Sequence, residues 1–328
     1  MPARKLGDQC LVLGAVLAAL AVLASVVVLN TAAPGSRAGG TLSGAYRSSN
    51  DAAGAARFGT WRGSRETIVT DFAPSDSWAA LSSPTWLADA WHRKGYHLAV
   101  AVPLLPRTGG SLQEGASGSY NRYFRTLAQL LASRGLGTSV IRLGWEMNAP
   151  WFNWSATSDP SAYVAFWRQA VGSMRAVPGT SFTFDWSPVV GEGSPGFDVA
   201  SAYPGDAYVD VIGMSLYDQS WRHSSADPAG RWTEYLTEPF GLNWSASFAR
   251  EHHKRSALGE WGLSQRCDGL GGGDDAYFVA KVHDWIRSHV LYYESYFDAD
   301  IGSCEKHAIM TREFPRAASM YKRLWSAT

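Results

Sequence analysis

Basic and acidic side chains balance at 29 each over 328 residues, so the chain carries no net charge. That excludes the basic excess of a nucleic-acid footprint or of a polybasic membrane patch. Fifteen Trp, fourteen Tyr and thirteen Phe make a heavy ring load, and clefts that bind carbohydrate are one place where such an excess is useful.

The first element is apolar. Arg4 and Lys5 precede residues 11–29, nineteen positions without a charge. A secretory h-region runs about 7–15 residues, while a membrane-spanning helix needs about 20. Residues 1–30 therefore read as a signal anchor with its positive end inside and all that follows outside. Thr31, Ala32 and Ala33 leave cleavage as a signal peptide open, and either route exports the main domain. Residues 31–55, rich in Ala, Gly, Ser and Thr, read as a flexible stalk. Residues 56–328 read as one folded, monomeric domain.

Within that domain, β-rich runs are expected at 57–61, 67–72, 97–103, 139–145, 181–186, 208–216, 255–260 and 292–297. Helical periodicity falls at 84–94, 120–133, 160–175, 242–253, 275–289 and 312–325. Eight strands alternating with helices point to an α/β fold of the (β/α)8 TIM-barrel type, with a doubly wound sheet as the alternative. Cys10 sits at the edge of the apolar run. Cys267 and Cys304 are expected to form a disulfide in an oxidising compartment, with two buried thiols as the alternative.

Barrels of this kind carry their chemistry where strands end at the C-terminal face. The fourth expected strand runs into IRLGWEMNAPWFNW and ends on Glu146, followed by Asn148, Trp151 and Trp154; the seventh, ALGEWG, ends on Glu260 and Trp261. Two glutamates three strands apart face each other across a barrel mouth, an arrangement suited to a retaining glycosidase. Period-two alternation puts Arg142 on the side of Glu146, where it supports Glu260 or pairs with a structural acid such as Asp185. Tyr217, at the end of the sixth strand, is placed to donate to Glu260. Trp186, at the end of the fifth, joins Trp151 and Trp154 as an expected sugar platform. The chain has no G-x-S-x-G elbow, P-loop or H-E-x-x-H helix, and no metal or organic cofactor is called for.

Together these segments resemble glycoside hydrolase family 26, the β-mannanase-like retaining barrels with glutamates on strands four and seven. IRLGWEMNAPWFNW is similar to the family's acid/base segment, FTFDWSP and YPGDAYVDVIGMSLYD to its fifth and sixth strands, and ALGEWG to its nucleophile strand. The resemblance implies Glu146 as acid/base, Glu260 as nucleophile and Tyr217 as the nucleophile's hydrogen-bond partner. It also implies a polysaccharide or oligosaccharide substrate, and Trp145, Asn148, Trp151, Trp154, Trp186 and Trp261, with Arg142 and Tyr217, are expected to contact it. Many members carry His where this chain has Trp145, so a larger and more apolar ring replaces one that hydrogen-bonds to sugar. The expected activity is endo-acting β-glycoside hydrolysis by double displacement. Alternatives are transglycosylation by the same glutamates, or a non-catalytic, membrane-anchored protein that binds or assembles polysaccharide.

Overall fold

A computed structural model describes residues 40–326. The expected anchor at 1–30, Cys10 and the first part of the expected stalk lie outside the described residues. Among the described residues, no helix is long and apolar enough to cross a membrane.

The chain opens with β1 (Leu42–Tyr46), α1 (Ala52–Arg62), β2 (Ile68–Phe72), α2 (Trp78–Ser82), α3 (Thr85–Trp91) and β3 (His97–Val102). It continues through α4 (Leu112–Ala116), α5 (Asn121–Ser133), β4 (Val140–Leu143), α6 (Pro160–Arg175) and β5 (Thr183–Trp186). A 3-10 turn at Val199–Ala202 leads to β6 (Val211–Ile212), β7 (Ser215–Tyr217), α7 (Pro228–Thr237) and α8 (Leu242–Glu251). The last elements are β8 (Arg255–Ser256), β9 (Leu258–Gly262), β10 (Gln265–Arg266), α9 (Ala276–His289), β11 (Tyr293–Phe297), β12 (Glu305–Lys306) and α10 (Pro315–Trp325).

Ten strands form one curled parallel sheet in the order β7-β9-β11-β1-β2-β3-β4-β5-β6-β8, and β10 and β12 form a separate antiparallel pair. Only Gly213 and Met214 separate β6 from β7, and only Ala257 separates β8 from β9. Since β6 pairs with β8 and β7 pairs with β9, each broken pair acts as one strand. Counted so, every strand has two neighbours and the order returns to its start, as in a (β/α)8 barrel.

One expectation fails. Residues 57–61 are helical, and the first strand is β1, inside the stretch read as stalk. Asp51 caps α1 by accepting from the Gly54 N–H at 2.6 Å, and the alanines that follow favour a helix. The fold therefore takes in residues 42–55, which composition alone reads as linker.

Ile68, Ala99, Val140, Val211, Ala257 and Tyr293 form one buried cluster. They come from six different positions around the sheet, so they plug the barrel interior. Between sheet and helices lie two larger apolar clusters, one around Phe124, Leu127 and Trp167 and the other around Trp261, Phe278 and Tyr321. Each ring of that size, fully buried, contributes about 1.5–3 kcal/mol.

Candidate active site

Above the interior plug, the lumen turns polar. Arg142 on β4 is completely buried, and its Nη1 donates to Glu260 Oε2 at 2.8 Å while Nη2 donates to Ser215 Oγ at 3.2 Å. Its Nε lies 3.9 Å from Asp185, and Tyr293 donates to the same carboxylate. Both pairings open to Arg142 in the sequence are thus present, with the hydrogen bond going to Glu260. Burial works against the guanidinium charge, but Glu260, Tyr293 and Asp185 outweigh it and hold Arg142 protonated. Burial also raises Asp185, to about 6, against the opposing pull of Arg142 and Tyr293. The cluster needs room. A Cβ on Gly259 would stand 2.6 Å from the Tyr293 hydroxyl and 2.7 Å from Arg142 Nε.

Glu260 lies on β9, facing this lumen. Its Oε1 accepts from the Tyr217 hydroxyl at 2.5 Å, so its two oxygens have separate donors. Tyr217 keeps its proton, because burial first and the Glu260 charge second push its pKa well up.

Glu146 arrives differently. β4 ends at Leu143, and Gly144 and Glu146 both take left-handed backbone, with φ of 51° and 53°. Simple alternation therefore stops before the glutamate. A non-glycine residue in this region costs of order 1 kcal/mol or more. The Glu146 N–H is anchored on Ser187 O at 2.7 Å. Its Oε2 accepts from Trp151 Nε1 at 3.1 Å. Burial and, next, the Glu260 charge raise the Glu146 carboxyl to about 7, while Ser215, Arg142 and Trp151 pull it back.

Both glutamates line a cleft of about 860 Å³ at the mouth of the sheet. Of the residues named from the sequence, Tyr217, Trp145 and Trp151 also reach it. Trp145 is a buried wall packed on Phe72, Phe152 and Trp154. Trp151 is 58% exposed and free to meet a ligand.

Four expected contact residues do not line the cleft. Trp186 points outward, packs edge-on against Tyr203 and tilted against Phe248, and donates to Ala202 O at 3.1 Å. Trp261 follows the inward-facing Glu260 and so faces the helices, where it donates to Glu294 at 2.7 Å. Trp154 is buried and donates to Trp145 O at 2.9 Å. Asn148 is a clamp for the next loop: its amide donates to Val189 O at 2.9 Å and Gly191 O at 3.1 Å, and accepts from Val189 N at 2.9 Å.

Other cleft residues were not anticipated. Phe72 and Phe297 come from the ends of β2 and β11, and Trp221, 71% exposed, from the loop after β7. Arg266 and Glu305 come from the paired strands β10 and β12, and His307 from the residue after β12, beside the Cys267–Cys304 disulfide, which has its Cα atoms 5.0 Å apart. Their only signal in the sequence was their nearness to those two cysteines. Among the described residues, no group of three or more metal-ligating side chains is present.

Residues 119–238 match the sequence profile of Glycosyl hydrolase family 26. The resemblance read from the motifs holds. The matched segment contains Arg142, Glu146 and Tyr217, while Glu260 lies beyond it. A mannan endo-1,4-beta-mannosidase of Bifidobacterium adolescentis is 30% identical over 202 residues, which is 58% of this chain and 19% of that protein. The chain thus matches about a fifth of that relative's length. Among solved structures, a modular endo-beta-1,4-mannanase from Cellulomonas fimi superposes with a TM-score of 0.64 at 20% identity, covering 89% of this chain and 71% of that one. A GH26 beta-mannanase from Bacteroides ovatus gives 0.58 at 17% identity, covering 88% of each chain. At these identities the superpositions establish the fold.

Proposed function

We propose that this protein is a retaining, endo-acting β-glycoside hydrolase that cleaves a neutral, mannan-type polysaccharide. The observation that carries this reading is the pair of glutamates at one cleft, held in unlike environments. Glu146 sits with its carboxyl raised to about 7, near neutral pH, where a group can both give and take a proton. Glu260 is fixed by Arg142 and Tyr217 through separate oxygens, a geometry that aims a nucleophile.

In the first step Glu260 attacks the anomeric carbon as the glycosidic bond breaks, and Glu146 protonates the leaving oxygen. In the second, Glu146 takes a proton from water, water attacks the anomeric carbon, and the bond to Glu260 breaks with net retention. Arg142 and Tyr217 act as positioning residues, and neither step calls for a metal or organic cofactor.

The substrate class is supported by charge as well as by the name of the Bifidobacterium relative. Besides the pair, Glu192, Glu238 and Glu305 line the cleft, against Arg266, which is itself bonded to Asp268 and Glu305. Burial raises Glu238 to about 7, and with Arg266 engaged by acids the cleft favours neutral sugars over uronic acids. We also propose that the domain is exported and anchored by residues 11–29, a reading supported by the uncharged run and by the disulfide; protease shaving of intact cells would remove an exported domain and spare an internal one.

The deciding test is Glu260→Ala, assayed on galactomannan and on an activated aryl mannoside. Turnover should vanish, and azide should restore cleavage of the aryl mannoside to give the inverted glycosyl azide. Full activity in that variant would sink the nucleophile assignment.

A further inference from the structure

The cleft does not end at the wall formed by Trp145. Phe72, Trp145, Trp151 and Phe152 line it on one side and line an adjoining pocket of about 760 Å³ on the other. The two cavities therefore adjoin across these shared rings, the second reaching the loops after β2 and β3. On its far side stands Trp86 of α3, 41% exposed. Among the described residues, this indole stacks on no other ring and hydrogen-bonds to nothing. Nearby Trp78 is different, lying 4.2 Å from Tyr120 and 4.7 Å from Tyr123, ring centre to ring centre. Trp78 is explained by packing; Trp86 is not.

The pocket is preformed. Thr108 donates to Asp76 O at 2.9 Å, Arg107 N–H to Ser75 O at 2.5 Å, and Asn153 to Pro106 O. Its walls offer indole and phenyl faces, with Asp76 and Arg107 at the edge. A pyranose presents C–H faces that stack on rings and hydroxyls that meet polar edges. Adjacency to the cleft across shared aromatic rings names the occupant.

We infer that this pocket is a distal sugar subsite, with Trp86 as its platform, holding a neutral unit of the same chain whose scissile bond lies between Glu146 and Glu260. The inference rests on the hydrolase reading, and it predicts that affinity and rate both grow with chain length.

The first test compares wild type, Trp86→Ala and Trp86→Phe on mannobiose through mannohexaose. The loss in Trp86→Ala should grow with length and reach roughly tenfold in kcat/KM on mannohexaose, equivalent to about 1.4 kcal/mol, and Trp86→Phe should recover most of it. A loss independent of length, or none, overturns the subsite. The second test is affinity electrophoresis of Glu260→Ala, with and without Trp86→Ala, through gels holding galactomannan, glucomannan, xylan or mixed-linkage glucan. At least one polymer should retard the single variant more than the double. Equal retardation, or none in any gel, overturns the inference. If wild type cleaves no manno-oligosaccharide, the mannanase reading fails while the gels still decide the subsite.

Discussion

Arg142→Met is the sharpest test of the polar lumen. The guanidinium is fully buried, 2.8 Å from Glu260 and 3.9 Å from Asp185. Methionine keeps the stem's volume and removes the charge, leaving two buried acids without their cation. Breaking a buried pair from one side costs about 3–5 kcal/mol, and here one cation serves two acids, so the upper half of that range is expected at pH 8. The cost has a definite pH dependence. Asp185 already stands raised to about 6 in the folded protein, above the value of about 4 for an unfolded aspartate. An acid raised by folding binds its proton more tightly when folded, so the protein gains stability at low pH and loses it as pH rises through the folded value. Without Arg142 that value goes higher still. The deficit should therefore be largest at pH 8 and shrink toward pH 5. Urea unfolding at the two pH values, with the slope of the transition checked for constancy, measures it. A deficit below about 1 kcal/mol at pH 8, given the range above, or one that grows on acidification, would refute the reasoning.

Two further outcomes follow from the same geometry. Because Glu146 must be protonated to act as an acid and is raised to about 7, kcat/KM should fall as pH rises through that value. Trp151→Phe removes a donor to the ionised form, so the alkaline limb should move to higher pH; a pH profile in which it stays or moves lower contradicts the assignment. Asn148→Ala deletes three hydrogen bonds of a buried side chain, each worth about 0.5–1.5 kcal/mol. Denaturation should report a loss of roughly 2–3 kcal/mol, and KM should rise because Val189 and Gly191 line the cleft. Unchanged stability would show that the loop does not depend on the clamp.

Strand periodicity read seven of the eight strand positions correctly, and strand ends led to both glutamates, Arg142 and Tyr217. The first strand was lost for a physical reason. A Cβ on Gly44 would stand 1.8 Å from Ile68 O, so β1 can lie beside β2 only with glycine there. The small residues that make this segment resemble a linker are what let it fit. Trp186 and Trp261 failed for a different reason. Each follows an inward-facing acid, Asp185 or Glu260, so the alternation that placed those acids also turns the indoles outward. Asn148 carried no local sign of its role, because its partners lie forty residues on, across a loop whose course no periodicity encodes.

The left-handed backbone at Glu146 has a consequence for how this sequence can change. At φ of 53° glycine or asparagine is more comfortable than glutamate, and removing the carboxyl also relieves its repulsion from Glu260. Selection for robustness alone would therefore drift away from glutamate at this position. Engineering that ranks substitutions by folding free energy would favour a change that the proposed mechanism predicts to be inactive. Under the proposed mechanism the residue persists only while its chemistry is selected, so position 146 would report whether a descendant of this chain keeps the proposed activity or has become a scaffold.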